Sequence, residues 1–147
     1  MNIYNQLNEW FKNYEDIGSW LYFNSTPVEL GVTSMLTNSN SYSIRKFIDG
    51  SKSVSITVTI NMIKSYDEGT SDINLTELEE VDKFCNWITH QNEIDNYPEL
   101  GDNITVTEIK VLNNVPILSV NEASQLAQYS FNAQITYLDE SEVINNG

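Results

Sequence analysis

Two stretches of strict two-residue alternation limit what this chain can fold into. In the first, Val54, Ile56, Val58, Ile60 and Met62 alternate with Ser55, Thr57, Thr59 and Asn61. In the second, Tyr129, Phe131, Ala133, Ile135 and Tyr137 alternate with Ser130, Asn132, Gln134 and Thr136. Successive side chains of a strand point to opposite faces, so each stretch predicts a long strand with one apolar and one polar face. Two such apolar faces need a cover, and two segments have the period to supply it. Ile3, Leu7, Trp10, Phe11 and Tyr14 recur at helical spacing, which predicts an amphipathic helix over residues 2–14 that Gly18 ends. Thr76 and Glu79 match a capping box, with Glu77, Glu79 and Glu80 at the positive end of the helix dipole. From there Leu78, Val81, Phe84, Cys85 and Ile88 carry an apolar stripe to about His90, before Tyr97–Pro98 breaks the helix.

The remaining strands are shorter. Trp20 to Phe23 and Val28 to Leu36 are apolar runs separated by Thr26–Pro27. Tyr42 to Ile48 reads as a strand joined to the first long one by the turn Asp49–Gly50–Ser51. Ile104 to Leu112 changes the phase of its alternation between Val106 and Ile109, which predicts a bulge or a second buried face. Pro116 opens a short strand after the turn Asn113–Asn114, and the acidic segment from Asp139 to Gly147 reads as a frayed tail. The predicted class is α+β: an antiparallel β-sheet with a long β-hairpin and two main α-helices packed on one face, in one domain over residues 1–147.

Charge narrows the function. The net charge is −14, and it is unevenly placed. Residues 1–66 balance five basic against five acidic groups, whereas residues 67–147 hold 16 carboxylates against Lys83 and Lys110. Affinity for a nucleic-acid backbone depends on Lys and Arg neutralising phosphates, so sequence-independent binding of DNA is not expected. A partner with a basic face fits better. One cysteine and one histidine exclude a disulfide framework and every Cys/His zinc finger, and the N-terminus lacks a signal-peptide pattern. No apolar run approaches a membrane span.

No catalytic, cofactor-binding or metal-binding constellation stands out. Cys85 lies within an apolar stripe, the place of a packing thiol rather than a nucleophile, and His90 sits at a helix end. The stretch from Asp67 to Asp72 lacks the acid spacing and closing Glu of a calcium loop. There is no GxGxxG or Walker pattern. Trp10, Trp20 and Trp87 read as core residues.

The order of elements resembles the tail terminator (minor capsid) proteins of long-tailed phages and phage-tail-like particles. The resemblance is carried by the helix around Leu7 and Trp10, and by Phe47-Ile48-Asp49-Gly50-Ser51 leading into the long strand. It continues through Asn74-Leu75, Phe84-Cys85-Asn86-Trp87-Ile88, Tyr97-Pro98-Glu99-Leu100 and Ala127-Gln128-Tyr129-Ser130-Phe131. It covers nearly the whole chain as a likeness of pattern and spacing. It implies a non-enzymatic virion protein of the tail, assembled in the host cytoplasm. Copies would form a ring, usually of six, that caps the head-proximal end of the tail tube. The implied partners are other copies of the chain, the major tail tube protein and the head–tail connector protein, with DNA passing through the ring and no membrane. No cofactor is implied.

In such a ring, a hairpin extending beyond its sheet over Ile44 to Ser55 would meet another surface of the next copy. The expected interface therefore pairs Arg45, Lys46, Asp49 and Lys52 with Asp67, Glu68 and Asp72. Two other classes remain at this point. One is an acidic mimic of DNA that binds a basic protein. The other is a small enzyme built on a carboxylate pair among Glu93, Asp95 and Glu99.

Overall fold

Both long alternations form strands, and they pair with each other along their full length. The computed structural model describes residues 3–17, 21–25, 27–37, 42–67, 71–113 and 116–143. Among these residues two α-helices, α1 (Ile3–Phe11) and α2 (Ser71–Glu93), accompany seven strands. These are β1 (Leu21–Phe23), β2 (Thr33–Thr37), β3 (Ser43–Lys46), β4 (Lys52–Ser65), β5 (Ile104–Val111), β6 (Ile117–Asn121) and β7 (Leu126–Asp139). The 14-residue strands β4 and β7 run antiparallel from Lys52↔Asp139 to Ser65↔Leu126. Each is flanked on its outer edge by two short strands. β3 and β2 share the outer edge of β4, and β5 and β6 share that of β7. The class is α+β, as the alternation and the two helical stripes predict.

The register explains the core. Val54, Ile56, Val58, Ile60 and Met62 lie directly opposite Tyr137, Ile135, Ala133, Phe131 and Tyr129. All ten are buried. The helices cover this face through aromatic side chains. The ring of Phe84 on α2 lies 5.7 Å from that of Phe131 on β7 and 6.1 Å from that of Phe11 on α1. Tyr14 stacks on Phe84 at 4.7 Å, and Trp10 meets Trp87 at 4.9 Å. At about 1.5–3 kcal/mol for each large apolar side chain removed from water, this single cluster supplies most of the drive for folding. Trp20 lies outside the described residues.

Several boundaries differ from expectation, each for a local reason. The first helix stops at Phe11 rather than at Tyr14. There the bonding tightens from four-residue to three-residue spacing, as Asn13 N–H donates to Trp10 O and Tyr14 N–H to Phe11 O. A 3-10 turn at Glu15–Ile17 follows. The second helix begins at Ser71, so Thr76 and Glu79 are interior and form no capping box. The Thr76 hydroxyl instead donates to the carbonyl of Asp72, one turn back (2.9 Å). The end of α2 is set by Asp95 in the left-handed region (φ 55), before Tyr97–Pro98 is reached. Asn96 N–H bonds to Gln91 O and Asp95 N–H to Asn92 O, the paired closure of a Schellman motif.

The sheet is mixed rather than wholly antiparallel, because β1 runs parallel to β2. Of the run from Val28 to Leu36, only the part from Thr33 onward is strand, and Val28 and Leu30 are exposed. The bulge in β5 falls between Val106 and Glu108, within the predicted change of phase. Asn113 is described but Asn114 is not, so that turn lies partly outside the described residues. The acidic tail is hydrogen-bonded at its start. Asp139 closes β7 and accepts from the amide and hydroxyl of Ser141, and Glu140 N–H donates to Asn103 O (2.8 Å). Residues 144–147 lie outside the described residues.

Candidate assembly interface

The hairpin turn is built as its sequence predicts. Phe47 N–H donates to Ser51 O (2.9 Å), and Gly50 supplies the positive φ (92°) that a side chain would resist. The Asp49 carboxylate accepts from the Ser51 hydroxyl (2.6 Å) and amide (2.9 Å). These two bonds, the hydroxyl first, hold its pKa below the ordinary carboxylate value. Asp49 thus braces the turn.

The hairpin is not a free extension of the sheet. Its second arm, Lys52–Ser55, is an inner strand segment held between β3 and β7. Only the four-residue arm β3 and the turn stand at the margin, and every residue of β3 is exposed. The three cations differ in their surroundings. Lys52 lies opposite Asp139 and reaches Glu142 (3.9 Å). Arg45 lays its guanidinium over the Phe47 ring, 5.6 Å from its centre. Among the described residues, neither Arg45 nor Lys46 forms an ion pair.

The acidic residues expected to meet them are elsewhere. Asp67 follows the far end of β4, and its amide donates to the side-chain oxygen of Asn74 on α2 (3.1 Å). Asp72 lies in the first turn of α2. Glu68 lies outside the described residues. The hairpin turn precedes Lys52 and Asp67 follows Ser65, so roughly 44 Å of extended strand separates the two sets. Within one copy they cannot touch.

A feature that sequence reading did not single out is the face of β4 and β7 opposite the helices. There Ser53, Ser55, Thr57, Thr59 and Asn61 lie across from Leu138, Thr136, Gln134, Asn132 and Ser130. The side chains bond in cross-strand pairs: Ser55 with Thr136 at 3.0 Å, Thr59 donating to Asn132 at 2.8 Å, and Ser130 donating to Asn61. No charged residue occupies this face of either long strand. The alternation in sequence contains the residues of this ladder but not the register that pairs them. Carboxylates crowd instead on α2, where Asp72, Glu77, Glu79, Glu80, Asp82 and Glu93 outnumber Lys83.

Burial pushes the Cys85 thiol up to about 12, with Asp82 adding to the effect, which keeps it protonated and unreactive. His90 is exposed, with Nδ1 3.8 Å from the Glu93 carboxylate. Asp95 accepts from the Tyr97 hydroxyl at 3.4 Å, and Tyr97 and Glu99 line a depression with Gln6, Glu9, Trp10 and Asn96. Among the described residues, no three His, Cys, Asp or Glu side chains are grouped to hold a metal ion. No described helix is long and apolar enough to cross a membrane. Compared with known proteins, the chain matches no family model and no curated sequence.

Proposed function

We propose that the protein is a structural component of a phage tail, one whose copies assemble head to tail into a ring that caps the tube at its head-proximal end. The observation that carries this reading is the unlikeness of the two ends of β4. One end presents Arg45 and Lys46 without ion-pair partners among the described residues, and the other leads into Asp67 and the acidic helix α2. Surfaces that attract each other but cannot meet within one chain favour heterologous contacts between copies, which close into a ring when the rotation between copies permits. The tube protein and the head–tail connector are the further partners of this reading.

Negative-stain microscopy of tail tubes grown with and without the chain tests it. Tubes of uniform length ending in a ring of added density are expected. Tubes of unaltered length with bare ends would defeat the proposal. The acidic-mimic reading draws on the carboxylates of α2 and makes a different forecast, a tight one-to-one complex with a basic protein and no effect on tubes.

A further inference from the structure

The same two ends are also complementary in shape and hydrophobicity. At the tip of the hairpin, Ile48 is fully exposed and Phe47 is nearly half exposed beneath the Arg45 guanidinium. An aliphatic side chain held at the apex of a braced turn contributes nothing to its own core. The turn itself is ordered by the Asp49–Ser51 bonds, so presenting Ile48 to a partner costs little conformational entropy.

At the opposite end, the sheet contains a hollow of about 200 Å³ lined by Val28, Ile63, Ser119, Asn121, Leu126 and Gln128 on the open face, together with Ala127 between the last two. The pairings Ile63↔Gln128, Ser119↔Gln128 and Asn121↔Leu126 place the strand members of this set on one face. The volume is several times the roughly 30 Å³ that a water molecule occupies in the liquid, enough to seat an aliphatic side chain. Val28 and Ile117 stand exposed at this end of the sheet. Carboxylates stand next to the hollow's lining along the chain: Glu29 follows Val28, and Glu122 opens the turn after Asn121, a turn whose Gln125 carbonyl accepts from the amide of Tyr66. Lys64, opposite Ala127, lies on the other face of the sheet at this end.

We infer that the hollow receives the hairpin tip of a second copy of this chain, with Ile48 seated against Val28, Ile63 and Leu126. Arg45 and Lys46 of the same hairpin then approach Glu29 and Glu122. The occupant is identified by this double match, since the chain itself carries a rigid apolar tip flanked by cations with no ion pair among the described residues, and a hollow whose lining is followed along the chain by carboxylates. The inference rests on the assembly half of the proposed function and not on the tail tube. The contact is heterologous, so it produces a ring or a filament according to the rotation between copies.

Cross-linking tests it directly. In a Cys85→Ser background, Ile48→Cys combined with Ser119→Cys is treated with a mild oxidant, with Ile48→Cys combined with Thr89→Cys on the exposed side of α2 as the control. The first pair should give a ladder of covalent oligomers on a non-reducing gel, and the control should stay largely monomeric. Sedimentation of Ile48→Ser, with all other residues native, should show self-association weakened about tenfold, the loss expected when one aliphatic side chain is no longer buried. Equal cross-linking of both pairs, or association unchanged in Ile48→Ser, would overturn the inference. If the ladder forms but tubes are not capped, the tail assignment fails and the self-contact stands.

Discussion

Tyr14 shows how a single residue can pack well and still carry a penalty. Its ring stacks on Phe84 within the core, yet its hydroxyl is buried with no hydrogen-bond partner among the described residues. Burial, and then the nearby Asp16 carboxylate, raise its pKa, so the hydroxyl stays neutral. Tyr14→Phe keeps the stack and removes the unsatisfied group, and should stabilise the protein by about 1 kcal/mol, or about 3 °C in melting temperature. A lower melting point for this variant would show that the hydroxyl has a partner after all. Cys85 is a residue of a different kind, a thiol kept protonated by burial and flanked by packing contacts. Its alkylation should be slow in the native protein and fast in denaturant. Cys85→Ser and His90→Gln should both leave assembly intact, with only a modest loss of stability in the first. Loss of assembly in His90→Gln at unchanged melting temperature would reopen the catalytic reading of the α2 C-terminus.

Among the elements, β4 shares with β7 the central place in the sheet. It pairs with β7 along its whole length and with β2 and β3 on its other edge. Its residue Val58 is fully buried on the helix-covered face, opposite Ala133. Val58→Asp would place an unpaired charge there, at a cost on the order of 4 kcal/mol or more. Against a total stability of about 5–15 kcal/mol, that should prevent folding or leave a much-reduced melting temperature, as circular dichroism would show. Thr59→Ala on the opposite face is the natural comparison. It loses one half-buried hydrogen bond to Asn132 and should be far milder. The helices were legible in sequence through their stripes, but their ends were not. Thr76 and Glu79 carry the residue types of a capping box, yet those types also fit a helix interior where a hydroxyl can bond one turn back. What favours an earlier start at Ser71 is the side chain of Asn74, which accepts from the amide of Asp67 and donates to its carbonyl (2.8 Å).

At the scale of the whole molecule, charge and topology act together. The cations of β3 were readable as a cluster, and so were the carboxylates after residue 66. Their separation to opposite ends of one long strand was not readable, because it depends on β4 being extended throughout and on the chain turning into α2 only after Asp67. Arg45→Glu with Lys46→Glu reverses the charge of an exposed edge that has no ion pair among the described residues and loses only the exposed Arg45–Phe47 contact, so the melting temperature should change little. Association should weaken, and the difference from wild type should shrink as salt screens both proteins. Association and melting both unchanged would assign these residues the simpler role of edge cations that prevent strand-to-strand aggregation.

The sequence by itself determined the features that depend on near neighbours. These are the two period-two strands, the two apolar helical stripes, the Asp49–Gly50–Ser51 turn and the bulge in β5, each set by side chains within a few positions of one another. The tertiary structure decided what depends on distant segments. It selected the register in which ten apolar residues of β4 and β7 coincide, and the parallel pairing of β1 with β2. It also set the hydroxyl and amide ladder on the open face, and the distance between the basic tip and the acidic end. A register shifted by one residue would turn every apolar side chain of a long strand toward the wrong face, so burial of the whole face selects the pairing, and no local segment contains that choice.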